Sequence, residues 1–175
     1  MKRFIFALTL LLSTVGTAYS SDIGTTKIID GHEVQVLGEN QTHIFVKRQL
    51  LGEMRNGMYD KRDKFFFFHQ IKKTGKKNIF IFDTIGFMGK SNPDPDFGRG
   101  KPMSLRSQFK FSCSKRASIG VDSYLTNQFY GQGKIIGVDF SNGVTSTGET
   151  LVWTPFSNDM PEHFMPMVRF CDQLK

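Results

Sequence analysis

No apolar run in the chain is long enough to cross a bilayer as a helix, Phe4 to Leu12 included, so it is not a spanning protein of that kind. Metal-ligand and nucleophile patterns are also missing. The four histidines, His32, His43, His69 and His163, are scattered, with no HxH or HExxH spacing, which argues against a metal centre. The two cysteines, Cys113 and Cys171, lack the CxxC spacing of redox and metal motifs. No GxSxG is present to expose a serine nucleophile. Gly131-Gln132-Gly133 has only two glycines and no phosphate-cradling context, so it reads as a turn. Asp94 and Asp96 lack the flanking ligands of a calcium loop and read as turn residues. Paired carboxylates for glycoside hydrolysis depend on the fold, and nothing in the spacing points to them. On this chemistry the chain is a binding or structural protein rather than an enzyme, with no cofactor and no metal.

What is present begins with residues 1–20. Lys2 and Arg3 supply a positive start, Phe4 to Leu12 a short apolar core, and Ala18-Tyr19-Ser20 small residues where a signal peptidase reads. The segment reads as a secretory signal peptide cleaved before Ser21. Residues 21–175 then form one domain, large enough for one core. The expected address is exported: periplasmic, on the cell surface or secreted. No cysteine stands at the cleavage site, so no lipid anchor is expected.

Loss of Lys2 and Arg3 lowers the formal charge from +7 to +5. Its distribution is more informative than its size. Lys47 to Arg116 holds seventeen Lys or Arg and six Asp or Glu, while the rest of residues 21–175 holds four against ten. The basic surplus is therefore confined to the middle. An anionic partner fits that distribution, such as a glycosaminoglycan, an acidic protein, a lipid headgroup or a cell-wall polymer; a solvated basic surface fits it as well. Nucleic acid does not fit, because the aromatics follow core-like strand patterns and the chain is exported.

Eighteen phenylalanines in short runs between turn residues make the chain β-rich. Thr26 to Ile29 and Glu33 to Leu37 read as strands around Asp30-Gly31, and Thr42 to Lys47 as another. Lys64 to Lys72 and Asn78 to Asp83 read as a hairpin with a basic tip, Lys73-Thr74-Gly75-Lys76-Lys77. Both strands are apolar on two faces. Phe65, Phe67 and Ile71 point one way and Phe66 and Phe68 the other, so both sides need cover. A helix can supply one cover; a loop, a second sheet or a second subunit the other. Ser91 to Pro102, with three prolines and two glycines, reads as a surface loop. Ser104 to Cys113 alternates cleanly. Ser107, Phe109, Phe111 and Cys113 share one face, and Arg106, Gln108 and Lys110 the other. Ser118 to Leu125, Lys134 to Phe140 and Leu151 to Pro155 read as further strands, and Ser141 to Thr150 as a polar loop.

The period then changes. Phe164, Val168, Cys171 and Leu174 mark a helix stripe. Asp159 and Glu162 have capping-box spacing, and Pro166 implies either a kinked helix or a short one starting there. In both cases Cys171 lies on the apolar side. Two cysteines in an exported chain favour one disulfide, which would staple this helix to the strand carrying Cys113.

The stretch SLRSQFKFSC, KRASIGVDSY, FYGQGKII, VWTPFS and a helix ending in Cys171 resembles the bacterial surface-adhesin protein E family. The matching positions are Ser104, Phe109, Cys113, Arg116, Tyr124, Gly131, Gly133, Trp153, Pro155, Ser157 and Cys171, with a looser upstream match at Met58-Tyr59-Asp60. The resemblance implies an α+β, β-rich fold: an antiparallel sheet packed on the C-terminal helix, with the cysteines paired. It also implies adhesion to host matrix proteins such as vitronectin and laminin, and a homodimer. The named member of the family is lipid-anchored, and this chain departs from it there.

The sequence thus points to an exported, adhesin-like binding protein. Its candidate contacts are Lys72, Lys73, Lys76 and Lys77 at the hairpin tip, with Arg106 and Lys110 on the polar strand face. The alternative is a periplasmic envelope protein, such as an inhibitor of a cell-wall-degrading enzyme or an assembly factor.

Overall fold

The computed structural model describes residues 23–91, 103–157 and 159–174. The signal segment and nearly all of the Ser91–Pro102 loop, with Asp94 and Asp96, lie outside the described residues. Ten strands follow one another across a single antiparallel sheet: β1 (Thr26–Ile29), β2 (His32–Glu39), β3 (His43–Leu50), β4 (Glu53–Asp60), β5 (Phe65–Lys73), β6 (Ile79–Met88), β7 (Ser104–Ser112), β8 (Ala117–Thr126), β9 (Ile135–Ser141) and β10 (Val144–Thr145). A two-residue strand, β11 (Thr154–Pro155), pairs with β8, and a helix, α1 (Met165–Gln173), ends the chain. No helix among the described residues is long and apolar enough to cross a membrane.

Local chemistry explains the meander. Asp30-Gly31, Leu51-Gly52 and Asn142-Gly143 each join neighbouring strands by two residues, all with positive φ, as tight hairpins require. Leu51 holds φ 52° against the preference of a branched side chain, and the sequence gives no turn signal there. The Lys64–Lys72 and Asn78–Asp83 segments form the expected hairpin, with the second strand running on to Met88.

The two-faced phenylalanine strands find both covers within the chain. On one face Phe67, Phe80, Phe82 and Phe111 pack beneath Met167 and Cys171 of α1, with Phe65, Ile71 and Phe109 around them. On the other, Phe66, Phe68, Ile85 and Phe87 join Val34, Val46, Leu50 and Tyr59. A loop closes this second face. A 3₁₀ turn over Phe129–Gly131, between β8 and β9, lays Phe129 and Tyr130 against Phe87 and His32. Cys113 and Cys171 are bonded to each other, so α1 is stapled to the chain leaving β7.

Three expectations are corrected. The capping box does not form: Phe164 caps α1 without a side-chain bond, and Glu162 instead starts a 3₁₀ turn and accepts from Arg169. The helix is the short alternative, with Pro166 in its first turn where a missing N–H costs nothing. Ser141 to Thr150 is not all loop, since Val144 and Thr145 fold back on β9. Of Leu151 to Pro155, only Thr154 and Pro155 pair as a strand.

Candidate functional site

The strand register brings charged side chains into a row on the face opposite α1. Arg48 of β3 stands opposite Arg55 of β4; Gln70, Asp83 and Gln108 stand opposite one another on β5, β6 and β7; Gln108 in turn faces Asp122 of β8. Two residues nearer the hairpin tips, Lys72, Ile81 and Lys110 form a second row on the same face. Lys72 and Lys110 are two strand spacings apart, about 10 Å.

Asp83 is the hub. Its side chain is 3 % exposed, and the guanidinium of Arg55, 1 % exposed, reaches across β5 to it. Arg55 Nη2 donates to Asp83 Oδ2 at 2.8 Å, and Nη1 donates to the Asp83 carbonyl at 3.2 Å. Lys72 Nζ lies 3.6 Å from the same carboxylate and Arg106 Nε 3.9 Å from it. Glu53 accepts from Lys72 at 2.9 Å and from Arg55 at 3.4 Å. Buried charges persist only when paired and hydrogen-bonded, and here two carboxylates hold three cations. Arg55 Nε, Gln70 Oε1 and Asp83 Oδ1 make no hydrogen bond among the described residues, so the cluster retains spare polar capacity. Arg106 also lies over the Tyr124 ring at 5.9 Å, and Arg48 over Tyr130 at 4.3 Å.

Beyond this cluster the surface becomes basic. The β5–β6 tip carries Lys73, Lys76 and Lys77, all exposed. It adjoins the β7–β8 turn, where Cys113 N–H donates to the Asn78 carbonyl at 3.2 Å. That turn adds Lys115, 5.6 Å from the Trp153 ring, and Arg116, which donates to Asp172 at 2.8 Å. Among the described residues, Glu53 and Asp83 contact this end through Lys72, and Asp172 through Arg116. Lys73, Lys76, Lys77 and Lys110 make no ion pair among the described residues.

The six basic residues singled out from sequence therefore divide. Lys73, Lys76 and Lys77 form the tip. Lys110 is exposed on the polar face of β7. Lys72 and Arg106 turn inward and are held by Glu53 and Asp83. Sequence reasoning missed Arg55, Glu53 and Asp83. The available signal was Asp83 itself, the one charge inside the apolar run from Ile79 to Met88.

A second pole surrounds His32, at the far end of the same face. It is 1 % exposed, bonded through Nδ1 to the Tyr130 hydroxyl at 2.8 Å, and edge-on to Phe66, Phe87 and Phe129. Burial, with Lys90 and Arg48 adding to it and Asp30 opposing, holds its pKa down at about 4. The imidazole is neutral and serves the core. Among the described residues no cluster of three or more His, Cys, Asp or Glu is placed to hold a metal ion. Comparison of the chain with family models, curated proteins and solved structures returns no match.

Proposed function

We propose that the protein is an exported, adhesin-like binding domain whose basic end engages acidic groups of a macromolecular partner, such as a host matrix protein. The observation that carries this reading is the set of four unpaired lysines, Lys73, Lys76, Lys77 and Lys110, on a rigid hairpin and its neighbouring strand. The lysine side chains provide long-range attraction and charge-assisted hydrogen bonds. The Arg55–Asp83 cluster beneath fixes the strands that present them. The family resemblance supports the adhesin reading, and the central basic surplus supports an acidic partner.

The test is binding of the mature chain to immobilised matrix proteins across a salt series. Affinity should fall as salt rises, because exposed charges are screened. Reversing the tip with Lys73→Glu, Lys76→Glu and Lys77→Glu should weaken binding at least tenfold and flatten the salt dependence. Unchanged affinity in the triple variant would refute the assignment.

A further inference from the structure

On the helix side of the sheet, away from the charged rows, lies a partly open cavity of about 370 Å³. Its floor is Phe109 of β7, Ile119 and Gly120 of β8 and Phe140 of β9. Its walls are drawn from residues 151–157 and 159–161 on one side and from Phe164 with Met167 on the other. Folded interiors contain few voids larger than a water molecule, whereas this volume falls in the range of ligand pockets.

The walls are anchored, so the space is built rather than left over. Pro155 is in register with Ala117 of β8, and Phe156 N–H donates to the Arg116 carbonyl at 2.7 Å, which fixes the segment on one side. On the other, α1 is tied down by the Cys113–Cys171 bond. Gly120 shapes the floor: a Cβ there would stand 2.7 Å from the Phe140 ring and 2.8 Å from Leu151. Those two side chains close over a position where any larger residue would displace them.

The lining also states what chemistry fits. It is apolar apart from the hydroxyls of Ser118, Thr154 and Ser157 and one ionisable group, Asp159. Asp159 is exposed, and so is Val152, at 74 %. A single carboxylate beside a low-dielectric pocket attracts a cationic head and repels a carboxylate or phosphate. We propose that this cavity binds a small cationic amphiphile, its alkyl or aryl body lying between β8 and α1 and its ammonium head at Asp159. The site adjoins the basic end at Arg116, 6.0 Å from the Phe156 ring, but its own lining carries the opposite charge.

The mature chain is titrated with the neutral fluorophore N-phenyl-1-naphthylamine. Bound dye is then displaced with dodecyltrimethylammonium or with dodecanoate, each below its micelle threshold. The expected result is one dye site per chain, displaced at least tenfold more effectively by the ammonium than by the carboxylate. Asp159→Lys, a surface change that leaves the melting temperature intact, should invert that order. Ser118→Phe should fill the floor and abolish dye binding. If it fails to fold, the Asp159→Lys comparison still decides. No saturable dye binding, equal displacement by both amphiphiles, or an order unmoved by Asp159→Lys would overturn the proposal.

Discussion

Lowering the pH from 7.5 to 5 should destabilise the fold by several kcal/mol, before its carboxylates titrate. Two histidines, buried His32 and half-buried His69, set the magnitude. Burial, with Lys90 and Arg48 nearby and Asp30 opposing, lowers His32 from 6.5 to about 4; burial, with Arg55 and Arg169, lowers His69 from 6.5 to about 4. His163, its ring tilted against Phe67 at 4.7 Å, is also lowered by burial. In each case the unfolded chain takes up a proton that the folded chain refuses. Stability is therefore complete above the unfolded value of 6.5 and is lost as pH falls toward about 4. At pH 5 each of the two strongly lowered histidines costs about 2 kcal/mol, from 1.36 kcal/mol per pKa unit. The pair costs about 4 kcal/mol, with His163 adding in the same direction. Asp60 titrates in a separate window. Burial pushes its carboxyl up, but hydrogen bonds from the Arg62 and Asp63 backbone and the Arg62 side chain bring it below 3.8, so its contribution is lost only at lower pH. Urea denaturation at pH 7.5, 6 and 5 would show the loss as a midpoint shift of roughly 2 M. His69→Phe should remove about half of the pH dependence. A midpoint unchanged between pH 7.5 and 5 would refute the reasoning.

Two further predictions concern the staple and the hub. The Cys113–Cys171 bond closes a loop spanning 58 positions, so replacing both cysteines with alanine should cost about 4 kcal/mol on the chain-entropy account and lower Tm by roughly 10 °C. Equal melting of the variant and the parent would show that the bond contributes nothing. Asp83→Ala strands the guanidinium of Arg55, 1 % exposed, without its buried partner, and should destabilise by about 3–5 kcal/mol in chemical denaturation. The pair Arg55→Met with Asp83→Leu should recover most of that loss; a double variant as unstable as Asp83→Ala would place the cost in packing rather than in the orphaned charge.

Much of this architecture is legible in the sequence, and the exceptions have physical reasons. Strands β5 and β6 are readable as continuous Phe and Ile runs flanked by turn residues, and β7 by its clean alternation. Strand β4 is not, because its core-facing positions are Arg55, Gly57 and Tyr59, an inward row without an apolar pattern. Gly57 is there for space: a Cβ would meet the Phe67 carbonyl at 2.4 Å and the Phe68 ring at 2.7 Å. The preceding turn is hidden by Leu51, an apolar residue in a conformation that glycine or asparagine ordinarily takes. The tip lysines are legible because the hairpin is local. The Arg55–Asp83 pair is not, because its partners are 28 residues apart and meet only once β4, β5 and β6 are in register. The apolar cavity is invisible to sequence reading for the same reason. It is bounded by five segments that alternation describes one at a time.

Every strand from β1 to β10 pairs with its neighbours in sequence, so the sheet is complete before the helix contributes anything. A chain cut before Met165 would keep its whole hydrogen-bonded ladder and lose the lid over Phe67, Phe80, Phe82 and Phe111. Such a fragment would be an ordered sheet with a sticky aromatic floor, able to stack on its own kind. The last turns of this chain therefore decide solubility more than they decide shape.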